Sequence, residues 1–549
     1  MKTKLLISFM VLCGIVNAQI PNWTWVKSAG GTLDDFAKCH AVDASGNIYV
    51  TGRFQSPTIT FDSITLTNTS TSVDLFLVKY DANGNVIWAK GAVGIGADIA
   101  NTVTVDASGN IYIAGSFASP TIIFGSDTLT NYGTNHDMFL AKYDSNGNVI
   151  WAKSSGGNNS DEAFTVTTDG SGNIFVGGEF VSTTITFGSF TLTNFGNTAD
   201  MFLVKYNSGG NVIWAKRAGG NYDDGPTSIK TDGSGNIIVT GYYKSSTIIF
   251  DSFTLTNTTI NYEDMFLAKY DNSGNVIWAK SAGGSLTDHV YSFTTDNSGN
   301  IFVAGYFVSS TITFGSFTLT NAGGGFGYYD MFFVKYDNSG NVLWAKRAGG
   351  TSYDEALSVT TDEIGNVYVA GHFTSLNITF GTYTFNLSSN KLIFIVKYDN
   401  SGNVIWAMNA GGGYHGYFNT ITYSVYGNLV FSGYFSGPTI IFGSDTISTV
   451  NIDMGLAKLS PVLEIESITN QNNISVYPNP ASGNISILAE GGSINSMEIY
   501  NIMGEKVYLE TDIILQEKFD IDISHLPGGI YFVKAGTNKG VQTEKMVVE

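Results

Sequence analysis

The chain has 549 residues, of which 43% are hydrophobic and 13% charged, with 64 glycines, 9 prolines and a formal net charge of −19. This composition is typical of a globular, β-rich protein and excludes a disordered chain. The acidic balance also argues against nucleic-acid binding, because phosphates are bound by clusters of Lys and Arg.

The first 18 residues have the pattern of a secretory signal peptide. Lys2 and Lys4 supply positive charge, residues 5–16 form an apolar core, and a cleavage site of small residues follows. The apolar run is too short to span a bilayer. Removal of residues 1–18 leaves Cys39 as the single cysteine, so we expect no intramolecular disulfide. The pattern predicts export to the periplasm.

Seven tryptophans recur at an almost constant interval of 62 to 66 residues. A fixed long period indicates an architecture built from one supersecondary unit copied many times. The tryptophans are Trp25, Trp88, Trp151, Trp214, Trp278, Trp344 and Trp406. The corresponding repeats lie near residues 25–87, 88–150, 151–213, 214–277, 278–343, 344–405 and 406–459.

Each copy contains short β-prone runs separated by Gly-rich and D-x-x-G-N turns, with almost no helical periodicity. In the copy at Trp278 the predicted strands are residues 276–280, 290–295, 301–307 and 330–336, with an accessory hairpin at 311–320. Antiparallel units of four strands, repeated seven times, suit radial packing around an axis. We therefore predict an all-β, seven-bladed β-propeller over residues 22–460.

The two ends of the array complement each other. The last copy stops at residues 454–459 and lacks its Trp strand, whereas residues 22–25 align with residues 85–88 of the first copy. This arrangement predicts that the N-terminal strand completes the last blade and closes the ring, which removes exposed sheet edges.

The recurring segments D-x-S-G-N-I-Y-V-x-G and K-Y-D-x-x-G-N-V-I-W-A-K run through the whole array. They resemble the seven-bladed β-propeller repeat (SBBP) family of bacterial secreted proteins. The resemblance implies the propeller fold and no common activity.

The tail differs from the array. A polar linker at residues 461–473 precedes residues 474–549, whose short alternating strands predict a small Ig-like β-sandwich. The Y-P-N-P, I-Y-N-x-x-G-E-K-V and L-P-x-G-x-Y-x-x-K motifs resemble the type A C-terminal sorting domain of the type IX secretion system. The resemblance implies a Bacteroidota host, the secretion machinery as partner of residues 474–549, and release or anchoring at the outer cell surface. An ordinary accessory sandwich is the alternative.

An aspartate follows the repeat tryptophan by ten residues in six of the seven copies. A ring of carboxylates is a weak candidate for a Ca²⁺ site. The interpretation that we favour is local: each carboxylate accepts N–H bonds in the turn before the second strand. We predict no cofactor, with Ca²⁺ as the alternative. The six residues are Asp35, Asp98, Asp161, Asp224, Asp288 and Asp354.

The copies differ in length mainly in the loop between the T-L-T-N element and the D-M-F-L strand. Variable loops on a rigid scaffold often carry function, and exposed aromatic side chains suit stacking on sugars or docking of a protein. Packing onto the neighbouring blade is the alternative. The aromatic residues of this loop are Tyr132, Phe195, Tyr262, Phe326, Tyr328 and Tyr329.

These features predict a secreted or surface-anchored protein that binds a glycan or a protein ligand without catalysis. Two alternatives remain open. One is an extracellular polysaccharide hydrolase or lyase that uses an acidic pair such as Asp354–Glu355. The other is a structural component of a surface layer. No catalytic motif, zinc-ligand spacing or P-loop is recognised in the sequence.

Overall fold

The computed structural model describes residues 21–68, 70–92, 94–324, 327–387, 391–410, 415–424, 426–437, 440–449, 451–460, 474–489, 493–501, 506–510, 513, 516–537 and 540–549. These residues fall into two compact units, one within residues 1–462 and one within residues 463–549. They form strands and turns only, which confirms the all-β prediction. None of them belongs to a helix that could span a membrane. The predicted signal peptide (1–18) and linker (461–473) lie outside the described residues.

In chain order, the strands of the first unit are β1 (Trp23–Ala29), β2 (Asp35–Val42), β3 (Ile48–Phe54), β4 (Thr58–Phe61), β5 (Ile64–Thr67), β6 (Asp74–Tyr80), β7 (Val86–Gly91), β8 (Asp98–Val105), β9 (Ile111–Phe117), β10 (Thr121–Phe124), β11 (Asp127–Thr130), β12 (Asp137–Tyr143), β13 (Val149–Ser155), β14 (Asp161–Thr168), β15 (Ile174–Phe180), β16 (Thr184–Phe187), β17 (Phe190–Thr193), β18 (Asp200–Tyr206), β19 (Val212–Ala218), β20 (Asp224–Thr231), β21 (Ile237–Tyr243), β22 (Thr247–Phe250), β23 (Phe253–Thr256), β24 (Asp264–Tyr270), β25 (Val276–Ala282), β26 (Asp288–Thr295), β27 (Ile301–Phe307), β28 (Thr311–Phe314), β29 (Phe317–Thr320), β30 (Asp330–Tyr336), β31 (Val342–Ala348), β32 (Asp354–Thr361), β33 (Val367–Phe373), β34 (Asn377–Phe380), β35 (Tyr383–Asn386), β36 (Leu392–Tyr398), β37 (Val404–Ala410), β38 (His415–Tyr423), β39 (Leu429–Ser436), β40 (Ile440–Phe442), β41 (Asp445–Ile447) and β42 (Asp453–Leu459).

In the described part of the first unit these strands form seven four-stranded sheets, each antiparallel throughout. In spatial order, sheet 1 is β2-β3-β6-β7, sheet 2 is β8-β9-β12-β13, sheet 3 is β14-β15-β18-β19, sheet 4 is β20-β21-β24-β25, sheet 5 is β26-β27-β30-β31, sheet 6 is β32-β33-β36-β37 and sheet 7 is β38-β39-β42-β1. A two-stranded ribbon, such as β4-β5 in sheet 1, connects the second and third strands of each sheet.

The core lies between successive sheets. All seven residues of β6 are buried, which fits a strand that is covered on both faces. Tyr49 and Leu77 of sheet 1 share one apolar cluster with Ile113 and Phe139 of sheet 2. Burial of each such side chain stabilises the fold by about 1.5–3 kcal/mol. Neighbouring sheets therefore pack against each other face to face.

The repeated tryptophan joins one sheet to the next. Trp88 and Lys79 are cross-strand neighbours in sheet 1. Trp88 Nε1 and Lys79 Nζ both donate to the carbonyl oxygen of Ser145 in sheet 2, at 3.3 and 3.0 Å. Gly147 of the same turn lies against the indole, where a Cβ would come within 3.1 Å of the ring. The indole bond recurs for Trp151, Trp214, Trp278 and Trp344. The tryptophan period is thus the spacing from sheet to sheet.

The N-terminal strand belongs to the last sheet. β1 pairs with β42, with Trp25 opposite Lys458, in agreement with the pairing predicted from the sequence. Lys458 Nζ donates to the carbonyl oxygen of Ala82 in sheet 1 at 2.7 Å, and Gly84 lies against the Trp25 ring. Sheet 7 therefore contacts sheet 1 through the lysine bond and the glycine–indole contact that also join sheets 1 and 2, whereas Trp25 Nε1 has no hydrogen-bond partner among the described residues.

A backbone hydrogen bond repeats between the sheets and includes this last pair. The N–H of Asp98 in sheet 2 donates to the carbonyl oxygen of Val73 in sheet 1 at 2.9 Å. The N–H of Asp35 in sheet 1 donates to the carbonyl oxygen of Ile452 in sheet 7 at 2.7 Å. Sheets 1 and 7 thus meet as consecutive sheets do, although their residues are far apart in the sequence.

The second unit consists of two sheets around one core. Its strands are β43 (Ile474–Tyr477), β44 (Asn484–Ala489), β45 (Ile494–Asn501), β46 (Lys506–Glu510), β47 (Lys518–Asp522), β48 (Gly529–Thr537) and β49 (Gly540–Val548). They are arranged as β43-β44-β47 and β46-β45-β48-β49. Ile485 and Ile487 of the first sheet share an apolar cluster with Met497 and Val533 of the second.

Candidate functional site

Several positions vary from sheet to sheet, and we call three of them in each sheet the rim. Two of them form a cross-strand pair. One is the second residue of the first strand (the third in sheet 7), and the other lies between a Gly and an aromatic residue near the end of the second strand. The pairs are Phe36–Arg53, Ile99–Ser116, Glu162–Glu179, Gly225–Tyr242, His289–Tyr306, Glu355–His372 and Tyr417–Tyr434. The third position precedes the third strand: Val73, His136, Ala199, Glu263, Tyr329, Lys391 and Ile452.

Rim residues of neighbouring sheets contact each other. The Ser116 hydroxyl of sheet 2 donates to Glu162 Oε2 of sheet 3 at 3.2 Å. The rings of His372 in sheet 6 and Tyr417 in sheet 7 meet edge to face, with centroids 4.7 Å apart. Rim residues thus contact each other across the boundaries between sheets.

Glu355 is the centre of the largest group. Its carboxylate is buried and accepts a hydrogen bond from the Tyr291 hydroxyl at 3.3 Å. The Tyr329 hydroxyl bonds to it as well, and His372 Nε2 lies 3.7 Å from Oε2. Burial raises the pKa of Glu355, although the Tyr329 bond and the charge of Lys391 oppose this rise. Glu355 is thus a buried carboxyl group held by tyrosine hydroxyls.

Aromatic rings extend this group across sheets 5 and 6. The Tyr306 centroid lies 4.5 Å from that of Tyr329, 5.6 Å from that of Tyr291 and 5.8 Å from that of His289. Tyr353 continues the contact, 4.8 Å from Tyr329. These rings form one half-buried aromatic surface with polar atoms at its edge, which suits ligand recognition.

Glu179 is a second carboxylate of the rim, and it is half-buried. It accepts a hydrogen bond from the Tyr242 hydroxyl at 2.7 Å. Burial raises the pKa of Glu179 to about 7, although the Tyr242 bond opposes the rise. Gly225 leaves the space that this side chain occupies, because a Cβ at Gly225 would lie 1.7 Å from Glu179 Oε1.

A histidine and a carboxylate pair at the boundary of sheets 4 and 5. His289 Nδ1 lies 2.7 Å from Glu263 Oε2, and Lys244 Nζ lies 3.5 Å from Glu263 Oε1. Burial alone would raise the pKa of Glu263, but the hydrogen bond and charge of His289 and the charge of Lys244 lower it overall. Glu263 is therefore an ionised carboxylate at neutral pH.

A chain of cation–aromatic contacts crosses the boundary between the first and last sheets, and we call it the seam arc. It consists of Arg53, Phe36, Tyr434, Tyr417 and Lys391. The Arg53 guanidinium lies 4.9 Å from the Phe36 ring centroid, Phe36 lies 5.0 Å from Tyr434, and Tyr434 stacks on Tyr417 at 4.8 Å. Lys391 Nζ lies 3.8 Å from the Tyr417 centroid and contacts its hydroxyl. The seam arc has a cation at each end.

The aromatic residues predicted in the variable loop are distributed over several sheets. Tyr132 is 67% exposed and Phe195 is 50% exposed, and Tyr262 is exposed as well. Arg217 covers Phe195, with its guanidinium 3.7 Å from the ring centroid. Within the described residues no ring contact joins these three side chains, which lie in the loops of sheets 2, 3 and 4.

Two of the predicted loop residues do come together. Tyr328 and Tyr329 both contact Tyr353 of sheet 6, with centroids 5.6 and 4.8 Å apart. Tyr329 also packs against Tyr306 and so belongs to the rim. Phe326 lies outside the described residues.

The six aspartates after the tryptophans lie in six different sheets, each bonded to its own sheet. Asp35 Oδ2 accepts from the Ser56 hydroxyl at 2.7 Å and Oδ1 from the Ser56 N–H at 3.1 Å. The same hydroxyl bond holds Asp98, Asp161, Asp224, Asp288 and Asp354. Burial raises the pKa of Asp224 and Asp288 to about 7 despite these bonds. Their carboxylates hold the turn between the second strand and the ribbon.

The aspartates of the D-x-x-G-N turns are likewise bonded locally. Asp81 Oδ1 accepts from the N–H groups of Asn83 and Asn85, both at 2.8 Å, and Oδ2 accepts from Asn85 Nδ2 at 2.8 Å. Across the described residues, no three His, Cys, Asp or Glu side chains are grouped so that they could hold a metal ion.

The acidic pair Asp354–Glu355 is divided between the two faces of its strand. Asp354 accepts from the Ser375 hydroxyl at 2.6 Å, whereas Glu355 faces Tyr291. This separation follows from the strand itself, since successive side chains point to opposite faces. The two carboxylates do not face a common space.

Most rim residues were not among the sequence candidates, which came from loops of unequal length. The G-x-[F/Y] segment at the end of the second strand could have indicated one of the rim positions from the sequence. Its first and last residues repeat, while the middle one changes from Arg53 to Ser116, Glu179, Tyr242, Tyr306, His372 and Tyr434. A position that varies inside an otherwise uniform strand is not explained by the fold alone.

Residues 475–549 match the family described as the secretion system C-terminal sorting domain. This match confirms the sorting domain predicted for the tail. It implies export through type IX secretion, interaction with that machinery, and delivery to the cell surface or the extracellular space.

The array has more distant relatives. The chain is 28% identical over 445 residues to an uncharacterized WD repeat-containing protein, L264, of Acanthamoeba polyphaga mimivirus, covering 68% of this chain and 32% of that protein. Among solved structures it is similar to the Pan2 WD40 domain of Neurospora crassa (10% identity, 77% of this chain and 88% of that chain, TM-score 0.37). It is also similar to the polysaccharide lyase Uly1 (11% identity, 82% and 94%, TM-score 0.40). The chain spans about a third of the length of the curated relatives that it matches.

Proposed function

We propose that this chain is an exported binding or adhesion protein of the cell surface, without catalytic activity, whose rim takes a glycan or a protein ligand. One observation carries the proposal: the rim positions vary between sheets whose other strands largely repeat, and the polar and aromatic side chains among them contact each other across sheet boundaries. Positions that only maintain the fold have no reason to differ between copies, whereas a ligand site breaks the symmetry of its scaffold.

The proposed scaffold is a seven-bladed β-propeller of the SBBP type, closed by its N-terminal strand. The clamp of Lys458 on Ala82 and the bond of Asp35 to Ile452 support closure, because they repeat between sheets 7 and 1 the contacts made by consecutive sheets. A closed ring gathers the rim residues of all seven sheets around one axis. The tail would form an Ig-like β-sandwich and direct the protein to the surface of a Bacteroidota cell.

The chemistry of the rim favours recognition of a polar ligand. Tyrosines offer a flat apolar face and a hydroxyl, a combination that suits both sugars and protein partners. The hydroxyls of Tyr291 and Tyr242 are bonded to Glu355 and Glu179, which fixes their rings in place. A surface held rigid in this way binds without the cost of ordering its side chains.

A glycan array probed with the full chain, followed by assay of the bound polymers for cleavage, tests this proposal. We expect binding to particular polysaccharides and no released product. Replacing Tyr306 and Tyr417 by Ala should weaken binding by about tenfold or more. Replacing the exposed loop residues Tyr132 and Tyr262 by Ala is the matched control and should leave it unchanged. Loss of binding in the loop variant alone would move the site from the rim to the loops.

A polysaccharide hydrolase or lyase is the second candidate, and one observation favours it. Glu179 has a pKa of about 7, raised by burial, and it is bonded to a tyrosine hydroxyl. A carboxyl group that titrates near neutral pH is suited to general acid–base catalysis. Release of product from any polymer, abolished by Glu179→Gln, would establish this alternative. A chain that bound no glycan and no protein would instead fit a structural surface-layer component.

A further inference from the structure

We propose that the seam arc binds the oxyanion group, a carboxylate or a sulfate, of an acidic polysaccharide, and that the edges and hydroxyls of its tyrosines contact the sugar rings. This inference rests on the proposed function, because it names the class of ligand for one part of the rim. It is argued from the order of the contacts, the charge around Arg53 and the net charge of the chain.

The order of the contacts suits a chain of charged sugars. Two cations, Arg53 and Lys391, flank three consecutive aromatic rings. Tyr434 and Tyr417 are both half-buried, and their rings stack at an interplanar angle of 27°. Because Tyr434 and Lys391 cover the faces of Tyr417, a sugar would meet the edges and hydroxyls of the tyrosines, and its acidic substituent would need a cation beside them. The seam arc offers both in sequence.

Positive charge is in excess at the Arg53 end. Lys38, the bulged residue of β2, lies near Arg53: burial lowers the pKa of Lys38, the charge of Arg53 lowers it further, and Glu162 opposes the change. Glu162 itself accepts a hydrogen bond from Ser116. Neither Lys38 nor Arg53 is a member of any salt bridge among the described residues. The two cations repel each other, and Glu162 is the carboxylate that favours the Lys38 ammonium group.

Arg53 also has an unused donor. Its Nε is buried and has no hydrogen-bond partner among the described residues. A buried donor without a partner costs about 1–3 kcal/mol, so such groups normally find an acceptor. A guanidinium binds carboxylates and sulfates through paired N–H groups in one plane. An oxyanion next to Phe36 would reach Nε only when the Arg53 side chain turns toward it, and it would then supply the acceptor that Nε lacks.

The local excess of positive charge near Arg53 contrasts with the negative net charge of the chain. A protein with a formal net charge of −19 repels anionic polymers as a whole. Binding of an acidic polysaccharide would therefore depend on a few local cations. It should weaken with salt, and it should disappear when those few cations are removed.

The experiment measures binding of the full chain to four polymers: polygalacturonate for carboxylates, dextran sulfate for sulfates, unsubstituted dextran as the neutral control, and polyglutamate as an acidic peptide. The variants are Arg53→Gln, Arg53→Lys and Lys391→Met. Lys153→Met, which removes an exposed lysine from β13 in sheet 2, is the matched control. Thermal melting of each variant verifies folding.

We expect at least one acidic polysaccharide to bind about tenfold or more tightly than dextran, and the polymer that binds identifies the carboxylate or the sulfate. Arg53→Gln and Lys391→Met should each weaken that binding by about tenfold, while Lys153→Met leaves it unchanged. Arg53→Lys should recover part of the loss, because it keeps the charge and not the planar donors.

Three results would overturn the inference. These are equal binding of dextran and the acidic polymers, equal losses in the Lys153→Met control, and polyglutamate binding as tight as that of the polysaccharides. Binding of neutral glycans alone would refute the seam arc and leave the proposed function standing. Absence of all glycan and protein binding would refute both.

Discussion

The third and fourth strands of each sheet carry residues that repeat from copy to copy, whereas the rim of the same sheet carries residues that vary. On the third and fourth strands, Lys79 and Trp88 bind the turn of the next sheet, and the same two residue types recur from copy to copy. At the rim, the equivalent positions hold an arginine in sheet 1, a glutamate in sheet 3 and a histidine in sheet 6. Both regions contact a neighbouring sheet, so packing alone does not explain why only one of them varies.

This difference indicates that the residues that join the sheets and the residues of the rim are under different constraints. The contact that joins one sheet to the next is the same at successive boundaries, so each copy keeps the same residues for it. A surface that meets a single ligand needs different groups at different points, so its copies diverge. Repetition therefore marks the scaffold of this molecule, and divergence marks the region that we expect to bind.

Replacement of a tryptophan that joins two sheets should have the largest effect. Trp278→Ala removes a side chain that is almost buried and its bond to the carbonyl oxygen of Asn338 at 3.3 Å. Loss of a buried large aromatic residue lowers the free energy of unfolding by about 3–5 kcal/mol. We expect a clear fall in the midpoint of urea unfolding, with ligand affinity unchanged at temperatures where the variant is folded.

Ile277→Ala is the control for this experiment, since Ile277 is 45% exposed on the same strand. Its effect on unfolding should stay below about 1 kcal/mol. If folded Trp278→Ala lost its ligand while Tyr306→Ala kept it, the division between scaffold and rim would be wrong.

Deprotonation of Lys391, at one end of the seam arc, should have the next largest effect, which is a loss of ligand affinity at high pH. Burial lowers the pKa of Lys391 to about 8, with Glu355 opposing the change. The ammonium group is therefore present below this pH and lost above it. The groups that face it change little over the same range: His372 is neutral because burial holds its pKa well below the ordinary value, and burial raises the pKa of Tyr417.

We therefore expect affinity for the acidic polysaccharide to fall by about tenfold between about pH 7 and about pH 9. The measurement is a binding isotherm at each pH, with Lys391→Met as the control, whose affinity should be lower and independent of pH in this range. A wild-type affinity that stayed constant to pH 9 would exclude Lys391 as the cation that meets the ligand.

Much of the fold could be predicted because its determinants are local and repeated. The run from Val276 to Lys280 reads as a strand by itself, and the copies fix the order of the others. The pairing of β1 with β42 was predictable as well, since the last copy lacked the strand that the N-terminus supplied. Sequence periodicity carries information of this kind even when the partners lie far apart.

The candidate site was harder to predict because its contacts are not local. Phe36 meets Tyr434, and His372 meets Tyr417, only when one sheet packs on the next. The variable positions could be read from the sequence, but their convergence depends on which face of each strand they occupy and on the bulge beside Lys38. Loop length pointed to Tyr329 alone among the residues of the rim.

The smallest expected effect concerns the pH dependence of the scaffold itself. Burial raises the pKa of Asp288 to about 7, against the bond from Ser309. The folded state therefore binds a proton at Asp288 between about pH 4 and about pH 7 that the unfolded state does not bind. This group stabilises the fold fully below the unfolded pKa, and that contribution is lost as pH rises through the folded pKa.

Asp288→Asn should remove this dependence, because the amide does not titrate. When the pH is lowered from about 8 to about 5, the Tm of the wild type should rise relative to that of Asp288→Asn by about 1–3 °C. Asp271→Asn is the control. Burial alone would raise the pKa of Asp271, but the bonds from Asn275 and Ser273 lower it overall, so it titrates below this window. If Tm depended on pH equally in the wild type and in Asp288→Asn, the carboxylate of Asp288 would be ionised in the folded state. The six repeated aspartates would then again be candidates for a cation site.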